Sequence, residues 1–207
     1  MKQTHLYYAI LLAAVLWLLM FSPWTAPNLP FWPTMTASAA LLLTLAAVNG
    51  VFGRLKRCGL GLQQVILGVA FAAVLWGIFW VGDKVSQWMF DFARPGVDSI
   101  YGMKGGTSPL YISLALLLLI GPTEELFWRG CVQERLQRRL GPNAGFVVAT
   151  LIYTLIHLWS FNFMLIMAAL VCGVCWGGLY RLRPQWLPAL SLSHALWDAA
   201  AFVWLPF

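Results

Sequence analysis

The chain has 207 residues, of which 61% are hydrophobic and only 10% charged, with a net charge of +6. A soluble domain is about half apolar and about a quarter charged, so these residues cannot cover a water-soluble globule. A soluble enzyme, a disordered chain and a nucleic-acid binder are excluded, and the basic excess becomes a report on membrane orientation.

A helix needs about 20 mostly apolar residues to cross the hydrocarbon. Seven runs qualify: 6–24, 33–52, 62–82, 109–128, 143–160, 161–180 and 186–207. The runs are continuous rather than alternating, which points to helices rather than a β-barrel. The expected fold is an all-α polytopic bundle of about seven spans in a bacterial inner membrane, with the lipid bilayer as its solvent. Lys2, the first apolar run, and Thr25 and Ala26 together resemble a signal peptide. Pro27 after the expected cut and the length of the run favour a retained helix.

Seven spans make the loops alternate sides. One set holds Lys2, Arg54, Lys56, Arg57, Arg129, Arg135, Arg138, Arg139, Arg181 and Arg183; the other holds Lys84, Arg94 and Lys104. Ten bases against three put the first set, and the N-terminus, in the cytoplasm. The longest outer loop is 83–106, whose first residues could extend the third helix. Cys172 and Cys175 are spaced like a redox pair, but they lie mid-span and read as small packing residues.

Ionisable groups inside a span are costly and mark function. They are Glu124, Glu125, Arg129, His157, His194 and Asp198, all in the last 84 residues. The first half offers none inside a span apart from His5 near the N-terminus. Gly121-Pro122 predicts a kink or restart just before the two glutamates. On a regular helix Arg129 lies about 40° around from Glu125 and about 140° from Glu124. Arg129 is therefore expected to neutralise Glu125 and leave Glu124 unpaired, as a general base requires. A hairpin turn near Gly141-Pro142 sets Glu124 and His157 at similar depth. His194 and Asp198 share a face at i, i+4. The cavity is expected to open to the cytoplasm; a turn lying at the lipid surface would instead bring both residues nearer the outer leaflet.

Together, Glu124-Glu125-x-x-x-Arg129, Tyr153-x-x-x-His157 and His194-x-x-x-Asp198 resemble the motifs of the CAAX-processing and bacteriocin-processing membrane proteases, which include the Rce1-type endopeptidases. Tyr153 stands where that pattern has Phe. The resemblance divides the chain into N-terminal membrane helices, 1–108, and a protease-like helical core, 109–207. It implies an intramembrane glutamate-type endopeptidase with no metal and no cofactor. Glu124 and His157 would activate water, His194 and Asp198 would stabilise the oxyanion and position the site, and Glu125 and Arg129 would hold the motif in shape. The expected partner is a membrane-associated protein presenting a C-terminal tail or a membrane helix.

Two alternatives stand beside this reading. Glu124, His157 and His194 form a plausible zinc set. The same polar cluster could also serve a non-enzymatic immunity or transport protein.

Overall fold

The computed structural model describes residues 3–207, and all regular structure among them is helical. Lys2, counted among the cytoplasmic bases, lies outside the described residues. The helices are α1 (Gln3–Phe21), α2 (Phe31–Val48), α3 (Val51–Cys58), α4 (Leu62–Met89), α5 (Ala93–Gly102), α6 (Pro109–Leu140), α7 (Pro142–Ser160), α8 (Phe163–Leu182) and α9 (Leu187–Ala199, continued through Ala200–Trp204).

Five of these, α2, α4, α6, α7 and α8, are long and apolar enough to cross a membrane. The first and last expected spans also fold as helices, α1 and α9. α9 is less apolar because Ser191, Ser193 and His194 interrupt it, and those three are buried against protein. The chain is thus an all-α polytopic membrane bundle.

Burial places the helices. Of the apolar stretch of α6, 61% is buried, against 17% of that of α4. α6 is therefore the central helix, while α4 turns Val65, Ile66, Val69, Val74 and Val81 outward to lipid. Two glycines set the closest approaches to α6. A Cβ on Gly121 would lie 2.6 Å from Cα of Ala195 in α9. One on Gly145 would run into the backbone N of Gln137, across the α6–α7 hairpin. Gly121 thus serves close packing, not the flexibility its place beside Pro122 suggested.

The fourth run does not stop at residue 128. α6 continues to Leu140 and absorbs Pro122 without breaking. Its backbone widens over Leu116–Ile120, where the Gly121 N–H reaches back five residues to the Leu116 carbonyl. Such a wide turn makes room for a proline that lacks an N–H. A second wide turn spans Trp128–Gln133. The Glu-Glu motif therefore sits on one regular segment, Gly121–Phe127, between two widened ones.

The basic residues gather at one end of the bundle. Arg54 of α3 pairs with Glu134 at 3.5 Å and donates to the Tyr180 hydroxyl at 3.1 Å. Gln64 at the start of α4 donates to the Gln185 carbonyl at 3.1 Å. At the other end, Asn162 donates to the Gly96 carbonyl at 2.8 Å, and Trp24 meets Phe161 edge to face.

Candidate active site

A cavity of about 480 Å³ enters the bundle and is lined almost wholly by apolar side chains. Four of the expected site residues line it: Glu124, His157, His194 and Asp198. Glu125 and Arg129 do not; they are sealed behind it at 0% and 2% exposure.

The division between the two glutamates follows from the helix. Glu125 pairs with Arg129 one turn on, Oε1 to Nη1 at 3.3 Å. Arg129 also donates to the Cys172 carbonyl at 3.3 Å and lies over the Tyr153 ring at 4.8 Å. Glu124 points the other way, into the cavity. It is not without a partner, as the helix geometry had suggested: the Tyr153 hydroxyl donates to its Oε2 at 3.0 Å. The hydroxyl that departs from the family pattern is the one that holds this carboxylate.

Glu125 does more than neutralise Arg129. Its Oε1 accepts from His194 Nδ1 at 2.8 Å, while Asp198 Oδ2 stands 3.5 Å from His194 Nε2. Glu125 is therefore the closer holder of His194, and Asp198 is the looser one. Trp176 stacks on the His194 ring at 3.9 Å and 19°, and is itself anchored by donation to Ser193 Oγ at 3.1 Å. The close approach at Gly121 is what brings α6 near enough for Glu125 to reach His194.

His157 reaches the same cavity from α7. Its Nδ1 donates to the Tyr153 carbonyl at 2.8 Å, and its Nε2 accepts the Trp17 indole N–H at 3.0 Å. Tyr153 thus touches both Glu124 and His157, by its hydroxyl and its backbone.

The proposed zinc ligands do not assemble. Among the described residues, no three His, Cys, Asp or Glu side chains are grouped to hold a metal ion. The physical reason lies in the rings: His157 turns its nitrogens to Tyr153 and Trp17, and His194 turns its own to two separate carboxylates.

Three further residues of the site carry no signal in the sequence pattern. Trp17 and Trp176 are ordinary apolar residues by pattern. Asp83 opens the expected outer loop 83–106, but α4 carries it inside the bundle at 5% exposure, where it lines the cavity. Its Oδ2 accepts from Lys84 at 3.0 Å and Gln87 at 2.6 Å.

The position of the cavity corrects one expectation. Its walls come from the end of α1, the start of α2, the end of α4, α5, the start of α8 and the end of α9. All of these lie away from the basic end, so the cavity belongs to the opposite half of the bundle. The reason is that α6 runs well past its motif and carries Arg135, Arg138 and Arg139 far from Glu124.

Residues 106–200 match the family model described as type II CAAX prenyl endopeptidase Rce1-like. No curated protein and no solved structure matches the chain. The matched segment, a little under half of the chain, holds all six motif residues together with Tyr153, and over it the chain is similar to the Rce1-like endopeptidases.

Proposed function

We propose that the protein is an intramembrane glutamate-type endopeptidase. It acts on a membrane-associated protein that presents a C-terminal tail or a membrane helix. The observation that carries this reading is that one apolar cavity has Glu124, His157, His194 and Asp198 in its wall and the Glu125–Arg129 pair sealed behind it. The bacterial inner membrane is the setting we propose.

Peptide hydrolysis needs a base for water, donors at the developing oxyanion and a proton for the leaving amine. Glu124 supplies the base. Tyr153 occupies Oε2, leaving Oε1 to take a proton from water as the water oxygen bonds to the scissile carbonyl carbon. Once its Nε2 is freed from the Trp17 indole N–H, His157 assists that water from α7. His194 is held in place by Glu125 and Trp176, and with a carboxylate near each nitrogen it carries a proton on both. Its Nε2–H then donates to the oxyanion in preference to Asp198. As the C–N bond breaks, Glu124 passes its proton to the leaving amine and returns to a carboxylate.

The test is cleavage in proteoliposomes of a reporter peptide ending in a farnesylated CAAX tail. Turnover by the wild type and none by Glu124→Gln is the expected result. Binding of the reporter by both proteins with no cleavage by either would support the non-enzymatic alternative.

A further inference from the structure

We propose that Trp17, on α1 and outside the matched segment, is a positioning residue for His157 that withholds its Nε2 from the attacking water. This rests on the endopeptidase reading and concerns the regulation of the same site.

The hydrogen bonds fix the state of the ring. An imidazole nitrogen that accepts an indole N–H carries no proton of its own. His157 Nε2 accepts from Trp17 at 3.0 Å, so the proton is on Nδ1, which donates to the Tyr153 carbonyl at 2.8 Å. Both nitrogens are engaged. Trp17 is 1% exposed and is not part of the cavity wall, so the lone pair that would take a proton from water points into protein. In this arrangement His157 lines the cavity without being able to act on what the cavity holds.

Packing reinforces the hold. The Trp17 ring meets His157 edge to face at 5.9 Å and 76°, and meets Trp128 at 6.5 Å and 89°. Phe21, one turn on, lies 6.1 Å from the same imidazole. α1 thus closes over His157 from a helix with no motif of its own.

The backbone just past His157 holds one costly conformation. α7 tightens to a narrower turn over Ile156–Ser160, and the next residue, Phe161, has φ of +49°. A bulky residue in the left-handed region is uncommon and costly, and such positions cluster where a segment has two settings. An Nε2 held by one indole N–H, four residues before that costly position, can be released. Water or substrate that takes the place of that N–H would turn Nε2 to the cavity. Until then, each turnover carries the cost of breaking the Trp17–His157 bond.

The test removes the N–H and keeps the ring. Trp17 is replaced by β-(3-benzothienyl)alanine, which has sulfur in place of the indole N–H, with Trp17→Phe as a second variant. Two readouts are taken on the full chain in proteoliposomes: kcat and KM on the farnesylated CAAX reporter, and the rate at which diethyl pyrocarbonate modifies His157, with the exposed His5 as internal reference. A typical buried hydrogen bond corresponds to a kcat rise of about three- to tenfold, with KM within about twofold. His157 should be modified faster by a similar factor and His5 at an unchanged rate. An unchanged His157 rate overturns the proposal. So does a fall in kcat with faster modification, because Trp17 would then be an anchor that keeps His157 productive. Faster modification in a protein whose wild type cleaves no reporter would uphold the clamp and count against the endopeptidase reading.

Discussion

Tyr153 and Glu124 are joined by a hydrogen bond of 3.0 Å between helices α7 and α6, and the carbonyl of the same tyrosine holds His157 Nδ1 at 2.8 Å. One residue therefore sets the distance between the two groups proposed to activate water. Glu124→Gln keeps the shape and can still accept from Tyr153 through its amide oxygen, but it cannot take a proton. Cleavage should fall by about a thousandfold or more, the upper range for losing a general base, with thermal stability close to wild type. Tyr153→Phe removes the hydroxyl and restores the residue usual in the family pattern, so kcat/KM should stay within about fivefold, roughly one net hydrogen bond. Activity of the wild type should also survive exhaustive chelation, measured on the same reporter.

Glu125 should behave oppositely to its neighbour. It is fully buried between Arg129 and His194. Removing one partner of a buried ion pair leaves an uncompensated charge and costs about 3–5 kcal/mol. Glu125→Ala should therefore lower the unfolding temperature and the yield of folded protein, whereas Glu124→Gln should not. A thermal melt of both variants in the same detergent separates the structural glutamate from the catalytic one.

The sequence made the site legible through spacing and left its supports hidden. The i, i+4 relation of Glu125 to Arg129 is a property of one helix, so it could be read directly, and with it the outward turn of Glu124. The level of His157 followed from the hairpin at Gly141. Trp17 lies 140 residues from the histidine it holds, and no periodicity connects them. Asp83 was hidden because the third apolar run ends near it while the helix runs on to Met89. The short helices α3 and α5 went unseen for a related reason: they lie outside the apolar runs that carry the signal. The widened turns on either side of the Glu-Glu segment are departures from regular geometry, which no single-helix periodicity contains.

Asp198 should tolerate an amide. Its Oδ2 is 3.5 Å from His194 Nε2, while Glu125 holds the other nitrogen at 2.8 Å. Asp198→Asn keeps a polar group facing that nitrogen and should retain most activity. Asp198→Leu places an apolar group there and should lose up to about a hundredfold, the lower range for losing an oxyanion donor. A dead but folded Asn variant would mean that Asp198 moves a proton itself.

Gly121→Ala tests the helix contact that assembles the site. The added Cβ would come within 2.6 Å of Cα and 2.7 Å of N of Ala195. Backbone cannot yield as a side chain can, so α6 and α9 must separate. Separation pulls Glu125 from His194. We expect lost activity together with a destabilisation of about 1–3 kcal/mol, as for overpacking elsewhere. Gly77→Ala on α4, where a Cβ would meet nothing within 4 Å, is the matched control and should behave as wild type.

Membrane sidedness decides which proteins can reach the cavity. The positive-inside rule places the end bearing Arg54, Lys56, Arg57 and Arg139 in the cytoplasm. Labelling with an impermeant thiol reagent should then find Lys56→Cys and Arg139→Cys on the cytoplasmic side and Asp98→Cys on the outer side; all three positions are exposed. Native thiols do not confuse the readout if Cys58, the half-buried one beside Lys56, is first replaced by Ser. The cavity wall draws on α5 and on the helix ends next to it. A cysteine at Ser86, which lines that wall, should therefore react with the same reagent from the side that labels Asp98→Cys, and prior addition of the reporter peptide should protect it. With the orientation set by the charges, the substrate tail would enter from the outer face, which favours exported or surface-anchored proteins over cytoplasmic ones. Labelling of Ser86→Cys together with Lys56→Cys would overturn that assignment and return the cavity to the cytoplasmic side.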